Sequence, residues 1–314
     1  MDLFYKKKIY ALFPQITEYD VPLSQLSQWR IGGKAEVVVR PRSKKELIKI
    51  RQWLYSNDLK SVIIGNTTNL LFSDEGLHVV VIQIGSNFSG LKIDGVELIA
   101  ESGIWIPSLA RVAMQAGLSG LEHTCGIPGS LGGLIVMNGG SQRQSISSVV
   151  RYVEIVDNKG KIKRYTNKEC DFSYRNSIFQ NKDDVIVEVG LILDTNQDKN
   201  DIRREMLRIL KSRRKKFPQK QPNCGSTFIS NLDMYEDYGP PGKIIEGCGL
   251  KGLSRGDAQI SKLHANFIVN TGRAQANDIL YLINIIKETV YKKTGYQMIV
   301  EAKFVTSCGD IISL

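Results

Sequence analysis

The chain is poor in cysteine and histidine. It has five cysteines, which are scattered and form no C-x-x-C pair, and only three histidines. A disulfide framework and a zinc cluster both need paired or clustered side chains of these types. We therefore expect neither disulfides nor a metal site.

The sequence also lacks a long apolar run. No stretch reaches the roughly 18 apolar residues that span a membrane, and the opening MDLFYKKK has no apolar core of a secretion signal. We therefore expect a cytoplasmic protein without a membrane partner. With 42% hydrophobic and 24% charged residues among 314, the chain can bury a large core, which excludes a mainly disordered protein.

Acidic residues are in deficit, with 32 against 42 basic ones. The net charge of +10 favours an anionic partner, whether nucleic acid, anionic lipid or a phosphorylated small molecule. A basic cluster occupies residues 211–216 (KSRRKK). No helix-turn-helix or aromatic–basic motif accompanies it, which disfavours a nucleic-acid partner.

Hydrophobic patterning predicts an α+β protein. A capping box of Ser43 and Glu46 predicts the start of a helix between the first two strands. The polar segment 195–201, which precedes a new helix, is the best candidate for a linker between domains. The predicted strands are 35–40, 61–65 and 78–84, several within 151–193 with a hairpin turn at 158–160, and 298–305. The other predicted helices are 107–117, 200–216 and 275–293.

Three glycine-rich segments could approach a ligand. Residues 247–252 match G-x-G-x-x-G, but no buried strand precedes them and no long helix follows, so a helix end with a tight turn is favoured over a dinucleotide fingerprint. Residues 65–71 (GNTTNLL) follow a predicted strand and suit an anion-holding nest, or simply a turn. Residues 126–133 (GIPGSLGG) suit close approach to a flat ligand or a diphosphate, or a rigid turn.

Taken in order, these loops and the segments around them resemble the UDP-N-acetylenolpyruvoylglucosamine reductase family, in its shorter subtype. The resemblance runs from about residue 20 to residue 305. Its matching stretches are WRIGGKA at 29–35, GNTTNLL at 65–71, SDEG at 73–76, GLSGLE at 117–122, GIPGSLGG at 126–133, MN at 137–138, YRNSIF at 174–179, GS at 225–226, GLKG at 249–252, AQ at 258–259, HANFIVN at 264–270 and VE at 300–301.

The resemblance implies a two-subdomain FAD-binding module of the vanillyl-alcohol-oxidase (PCMH) type, followed by an α+β substrate-binding domain. We place the FAD-binding subdomains at 1–90 and 91–200 and the substrate domain at 201–314. The implied activity is reduction of UDP-N-acetylglucosamine-enolpyruvate to UDP-N-acetylmuramate for peptidoglycan, with FAD as cofactor and NADPH as electron donor. We expect a monomer that binds this nucleotide sugar.

The resemblance also implies roles for individual residues. Arg175 would stabilise the enolate that forms beside the substrate carboxylate, Ser226 would donate a proton, and Glu301 would be the catalytic glutamate. The implied FAD contacts are Gly65, Asn66, Thr67, Thr68, Asn69, Gly126, Ile127, Gly129, Ser130, Gly132 and Gly133. The implied substrate contacts are Tyr174, Lys216, His264 and Asn266.

Several positions depart from the family pattern. Asn66-Thr67-Thr68 stands where the family has Gly-Gly-Ser or Gly-Gly-Gly, and residues 138–143 read NGGSQR rather than Asn-Ala-Gly-Ala-Tyr-Gly. Ile229 replaces an expected lysine, and the expected asparagine is Ser230 or is shifted to Asn231. A paralogue acting on a related nucleotide sugar for surface polysaccharide, or a sugar or alcohol oxidase of the same superfamily, therefore remains an alternative. The three histidines lie outside the two cofactor loops, which disfavours only the covalently flavinylated oxidases.

Overall fold

The computed structural model describes residues 2–230 and 232–314. Its strands are β1 (Thr17–Pro22), β2 (Lys34–Val39), β3 (Ser61–Ile64), β4 (Leu70–Phe72), β5 (Leu77–Gln83), β6 (Leu91–Asp94), β7 (Glu97–Glu101), β8 (Val150–Val156), β9 (Ile162–Thr166), β10 (Val185–Ile192), β11 (Ser254–Arg255), β12 (Ala258–Ile260), β13 (Ile268–Asn270), β14 (Lys303–Val305) and β15 (Ile311–Ser313). Its α-helices are α1 (Leu3–Leu12), α2 (Leu23–Leu26), α3 (Lys44–Ser56), α4 (Ile106–Gln115), α5 (Leu131–Val136), α6 (Lys199–Lys216), α7 (Leu232–Tyr238), α8 (Pro241–Gly247) and α9 (Ala276–Thr294).

The first sheet has the order β1-β2-β5-β3, in which β2, β5 and β3 run parallel. The predicted strands at 35–40, 61–65 and 78–84 are therefore confirmed. Helix α3 buries Leu47, Ile50 and Leu54 against this sheet. Its start differs from the predicted capping box in one detail. The Ser43 hydroxyl accepts from the Glu46 N–H as expected, but the Glu46 carboxylate accepts from the N–H of Arg42 rather than from that of Ser43.

The second sheet is antiparallel, in the order β6-β7-β10-β8-β9. The predicted turn at 158–160 joins β8 to β9, and Gly160 takes the left-handed conformation, with φ of +77°, that such a turn favours. Helices α4, α5 and α6 contribute to the core of this subdomain. Helix α5 was not predicted, because its sequence LGGLIV lies inside and just after the glycine-rich loop.

Helix α6 packs with the second subdomain, although we predicted that it opens the third domain. Its buried residues Ile202, Met206 and Ile209 belong to the same core as the second sheet. The third core is instead formed by residues from 224 onward, together with a few from the first subdomain. Packing therefore favours a boundary near residue 217 over one at residue 200.

The third domain combines a small antiparallel sheet, β11-β12-β13, with α8 and α9. Trp29, from the first subdomain, is buried in this core, and its indole N–H donates to the carbonyl of Ile268 at 2.7 Å. The G-x-G-x-x-G segment is the end of α8 followed by left-handed turns at Gly249 and Gly252, as the sequence favoured.

The strand that we predicted over 298–305 is divided in two. Val300 forms an isolated antiparallel bridge with Phe228 inside the third domain. Only residues 303–305 form a strand, β14, and it pairs in parallel with β4 and antiparallel with β15. Residues 298–305 thus contact two different parts of the structure. The alternation of side chains in the sequence could not show this division.

Arg51 on α3 joins the first two subdomains. Its guanidinium is buried and donates to the carboxylate of Asp183 at 2.8 Å and to the carbonyl of the same residue at 2.5 Å. It also reaches the Asp157 carbonyl at 3.3 Å and the Ser61 hydroxyl at 3.0 Å. These contacts hold the two subdomains together beside the cavity described below.

Over residues 2–230 and 232–314, no helix is both long enough and apolar enough to cross a bilayer.

His123 makes the stability of the fold sensitive to acid. Burial lowers the pKa of this histidine to about 4, against about 6.5 in an unfolded chain. The unfolded state therefore binds the extra proton first, and stability falls as the pH drops from about 6.5 to about 4. We expect His123→Leu to weaken this loss by about 3 kcal/mol. Urea unfolding of both proteins at neutral and acidic pH measures it, and identical losses in the two proteins would contradict the assignment.

Candidate active site

A cavity of about 1470 Å³ lies where the three domains meet. It exceeds the usual range of about 300–1,000 Å³ for a site that takes one small molecule, so it has room for a cofactor beside a substrate. Its wall contains every residue predicted to contact the cofactor: Gly65, Asn66, Thr67, Thr68, Asn69, Gly126, Ile127, Gly129, Ser130, Gly132 and Gly133.

The two glycine-containing loops pack directly against each other. A Cβ atom on Gly65 would lie 2.6 Å from the hydroxyl oxygen of Ser130, and one on Gly129 would lie 3.2 Å from that of Thr68. Gly129 also has φ of +140°, which side-chain-bearing residues rarely adopt. Glycine at these positions is required for the loops to approach so closely.

The first loop presents backbone donors. Thr67 has φ of +53°, and its hydroxyl donates to the carbonyl of Leu26 at 2.6 Å, which holds this turn in place. Among the residues that the structure describes, the N–H groups of residues 66–69 find no acceptor within the protein. Free N–H groups on a turn form an anion-binding concavity. The loop therefore fits the diphosphate of a dinucleotide such as FAD.

A tight turn carries Arg175 into the cavity. Ser173 and Asn176 exchange backbone hydrogen bonds of 3.1 Å, so that Tyr174 and Arg175 form a two-residue turn. Arg175 has φ of +58°, and the Gln180 amide donates to its carbonyl at 2.8 Å. Such a conformation is unfavourable for arginine and persists only where neighbours impose it.

Two neighbouring segments bring Ser226 and Glu301 together. The N–H of Glu301 donates to the carbonyl of Thr227 at 2.8 Å, and the N–H of Ile229 donates to the carbonyl of Ile299 at 3.0 Å. Ser226, directly before Thr227, and Glu301 both line the cavity. The Asn69 amide donates to the Glu301 carbonyl at 3.0 Å, which ties this pair to the cofactor loop.

Arg175 and Glu301 form an ion pair, with Nε 3.3 Å from Oε1. The Arg175 Nη2 group also donates to the carbonyl of Gly140 at 3.3 Å. Burial raises the pKa of the Glu301 carboxyl, and the positive charge of Arg175 opposes that rise only in part. A carboxyl with a raised pKa takes up a proton more readily than an ordinary glutamate and can donate it.

The predicted substrate residues lie around the cavity rather than in its described wall. Tyr174 is largely exposed and stacks near the Arg175 guanidinium. Lys216 is exposed at the end of α6, and its charge contributes to a lowered pKa of His264, so these two are neighbours. Asn266 is buried, and its amide is bonded to the main chain of Phe228. Whether any of the four touches substrate stays a prediction.

Arg213 is a site residue that the prediction missed. It lines the cavity beside Gly126, where a Cβ atom would lie 2.5 Å from Arg213 Cδ, and its guanidinium lies over the Phe217 ring. No carboxylate pairs with it within the described residues, and burial lowers its pKa. The signal was present in the sequence, because Arg213 continues the buried stripe of Ile202, Met206 and Ile209 on α6.

The departures from the family pattern fall in different places. Residues 139–141 form part of the cavity wall, and Gly140 is the residue whose carbonyl accepts from Arg175. Ile229 is bonded through its main chain to Ile299, and Asn231 lies outside the described residues. The departures at 66–68 and at 139–141 therefore both lie in the cavity wall, where they can touch a bound ligand directly.

Sequence comparison matches two parts of the chain to known families. Residues 35–166 match an FAD-binding domain, and residues 217–305 match the family described as UDP-N-acetylenolpyruvoylglucosamine reductase, C-terminal domain. A two-lobed FAD-binding module whose cofactor cavity is closed by a third domain defines a flavin-dependent oxidoreductase. The predicted fold class and the predicted cofactor are thereby confirmed.

Whole-chain relatives specify the family. UDP-N-acetylenolpyruvoylglucosamine reductase 1 of Corynebacterium glutamicum is 43% identical over 93% of this chain and 87% of its own length. The reductase of Heliobacterium modesticaldum is 37% identical over 92% of this chain and 90% of its own length. The crystal structure of the Thermus caldophilus reductase superimposes with a TM-score of 0.77 at 29% identity, covering 92% of this chain and 97% of the other. The chain belongs to the UDP-N-acetylenolpyruvoylglucosamine reductase family.

The close packing of the two loops predicts a cofactor-binding defect for Gly65→Ala. The added methyl group would meet the Ser130 hydroxyl at 2.6 Å, so this hydroxyl must leave its place in the cavity wall between the two loops. We expect FAD affinity to fall by about tenfold. Gly247→Ala, at a glycine with open space around it, is the control and should bind FAD normally. FAD titration of the deflavinated proteins measures both, and equal affinities would contradict the packing argument.

Proposed function

We propose that this protein reduces UDP-N-acetylglucosamine-enolpyruvate to UDP-N-acetylmuramate, with FAD as cofactor and NADPH as electron donor, in the synthesis of peptidoglycan precursors. The observation that carries the proposal is that Arg175, Ser226 and Glu301 line one cavity with both predicted cofactor loops. Membership of the family supports the substrate and the reaction class.

The loops at 65–69 and 126–133 would hold FAD, which would supply the redox chemistry, a hydride transfer from NADPH to the methylene carbon of the enolpyruvyl ether. The double bond is conjugated with a carboxylate, so negative charge grows on that carboxylate as an enolate. Arg175 carries a fixed guanidinium in the cavity and can bind the carboxylate through two parallel N–H groups. Because its turn is held by the Ser173–Asn176 pair, the guanidinium needs little reorganisation when this charge develops.

The carbon that bears the ether oxygen then needs a proton. Ser226 lines the same cavity, and its hydroxyl can supply the proton. A serine hydroxyl is a weak acid, so a neighbour must lower the cost of losing its proton. Glu301, on the adjacent segment and with a raised pKa, can hold a proton beside the growing enolate and limit the build-up of negative charge.

The basic surplus of the chain suits the diphosphate of a nucleotide sugar. Arg213 adds a half-buried positive charge to the cavity wall. A cytoplasmic location and a monomeric state stay predictions from the sequence.

Anaerobic stopped-flow absorbance tests the proposal. The enzyme is first reduced with NADPH and then mixed with UDP-N-acetylglucosamine-enolpyruvate. We expect the flavin band to bleach and then to recover at a rate that supports turnover. Bleaching without recovery would redirect the search to a related nucleotide sugar. Recovery only with oxygen would favour an oxidase, and a protein that binds no FAD would overturn the proposal.

The proposed roles of Ser226 and Arg175 predict that their substitution affects the two half-reactions, reduction of the flavin by NADPH and its reoxidation by substrate, to different extents. Ser226→Ala should be reduced by NADPH normally, yet its reoxidation by substrate should slow by about 10²-fold or more, because no hydroxyl donates the proton. Arg175→Lys keeps the charge but loses the two-pronged geometry, and its reoxidation should slow by about 10²-fold. Both rate constants come from single-turnover traces. Near-normal reoxidation of either variant would remove that residue from its role.

Glu301 predicts how reoxidation depends on pH. If the protonated carboxyl is the active form, the rate constant for reoxidation at saturating substrate falls as the pH rises through the raised pKa of Glu301. Reduction by NADPH should not share this fall. Glu301→Gln, which cannot ionise, should be slower throughout and should flatten the profile. A Gln variant that shows the same fall as the parent enzyme would assign it to another group.

A further inference from the structure

We propose that Asn266 is a positioning residue that aligns Ser226 with Glu301, rather than a residue that touches substrate. This inference rests on the function proposed above. The observation behind it is a set of three hydrogen bonds to one side of the loop at residues 225–229, which carries Ser226. They join Asn266 to Thr227 and Phe228, the two residues that follow Ser226.

The side-chain amide of Asn266 hydrogen-bonds to the main chain of Phe228 as the backbone of a neighbouring strand would. Its Oδ1 accepts from the N–H of Phe228 at 3.0 Å, and its Nδ2 donates to the carbonyl of the same residue at 2.9 Å. Its own main-chain carbonyl accepts from the N–H of Thr227 at 2.8 Å. Only 5% of Asn266 is exposed, and it is outside the cavity wall, so its amide is committed to the loop.

The opposite side of the loop faces the segment that carries Glu301. Thr227 accepts from the Glu301 N–H through its carbonyl, and Phe228 is bridged to Val300. Residues 227–229 are therefore held between Asn266 on one side and residues 299–301 on the other. These hydrogen bonds fix the position of Ser226 relative to the Glu301 carboxyl.

The end of the loop before Ser226 is anchored to other segments. Gly225 takes φ of +78°, and its N–H donates to the Asn223 side chain at 2.8 Å. The buried Cys224 thiol donates to the carbonyls of Thr67 and Leu70, both at 3.5 Å. These bonds hold the turn, but none of them joins it to residues 299–301. The contacts on the far side of Ser226 supply that link, and Asn266 makes three of them.

Asparagine is the side chain that this task requires. It offers one acceptor and two donors in a plane, whereas aspartate has no donor for the Phe228 carbonyl and would bring a buried charge. Leucine offers neither group and would leave the N–H and the carbonyl of Phe228 without this partner. Small displacements of a proton donor are costly, since about 1 Å can slow a reaction about 10²-fold.

The test compares Asn266→Ala, Asn266→Leu and Asn266→Asp with a matched control, Asn270→Leu. Asn270 is also a buried asparagine of the third domain, and its side chain bonds to Trp29, Gly272 and Ala274, away from the loop. All proteins are studied as the FAD-loaded full chain. NADPH reduction, reoxidation by UDP-N-acetylglucosamine-enolpyruvate and the solvent deuterium isotope effect on reoxidation are measured.

We expect each Asn266 variant to be reduced within about twofold of the parent rate but reoxidised at least about tenfold more slowly. The solvent isotope effect on reoxidation should rise, because proton donation becomes more limiting. Asn270→Leu should lose thermal stability while both half-reactions stay within about twofold. Equal slowing of both half-reactions, or unchanged reoxidation, would overturn the positioning role.

Hydrogen exchange separates this inference from the proposed function. The amide of Phe228 should lose protection in folded Asn266→Ala and Asn266→Leu, because these variants lack its side-chain acceptor. The amides of Thr227, bonded to the main-chain carbonyl of residue 266, and of Ile229, bonded to Ile299, should keep theirs. Unchanged protection at Phe228 in both variants would contradict the inference whatever the substrate is. Failure of the parent enzyme to be reoxidised by the nucleotide sugar would instead contradict the proposed function.

Discussion

The parallel pairing of β14 with β4 is the contact on which the site depends. Strand β4 begins directly after the loop at residues 65–69, and β14 begins two residues after Glu301. Pairing Lys303 with Leu70 therefore fixes the distance between the loop at residues 65–69 and Glu301. The Asn69 amide, bonded to the Glu301 carbonyl, extends this link to the last residue of the loop. One pairing thus joins the two ends of the chain around a single cavity.

The charge balance of the cavity follows from this arrangement. Three arginines line the wall: Arg51 pairs with Asp183 and Arg175 with Glu301, whereas Arg213 has no carboxylate partner among the described residues. This unpaired charge suits a substrate with a carboxylate and a diphosphate. The partner carboxylate of Glu301 is itself buried with a raised pKa, so it can become neutral when an anion approaches Arg175. The ion pair therefore does not block anion binding.

Local pattern in the sequence predicted a large part of the fold. Strands β2, β3 and β5 and the long helices have periodic burial that the sequence reveals directly. The two cofactor loops could be located because glycine and small polar residues follow strands in a recognisable way, and the family resemblance then brought Arg175, Ser226 and Glu301 into one hypothesis. The structure places all of these in one cavity wall.

What the sequence did not predict depends on long-range packing. Helix α6 belongs to the second core because Ile202, Met206 and Ile209 find their partners there, and a polar linker before the helix does not reveal that choice. Arg213 was hidden within a basic cluster whose other members are more exposed. Asn266 was expected at the substrate because of its position in a motif, yet its amide is bonded to a loop 38 residues earlier in the chain.

The most direct test of the account is a crystal structure of the enzyme with oxidised FAD and UDP-N-acetylglucosamine-enolpyruvate. Oxidised flavin cannot donate a hydride, so the complex persists. The account predicts the substrate carboxylate against Arg175, and the Ser226 hydroxyl about 3–3.5 Å from the carbon that bears the ether oxygen. A substrate whose enolpyruvyl group lies away from Arg175, or whose reacting carbon cannot be reached by Ser226, would contradict it.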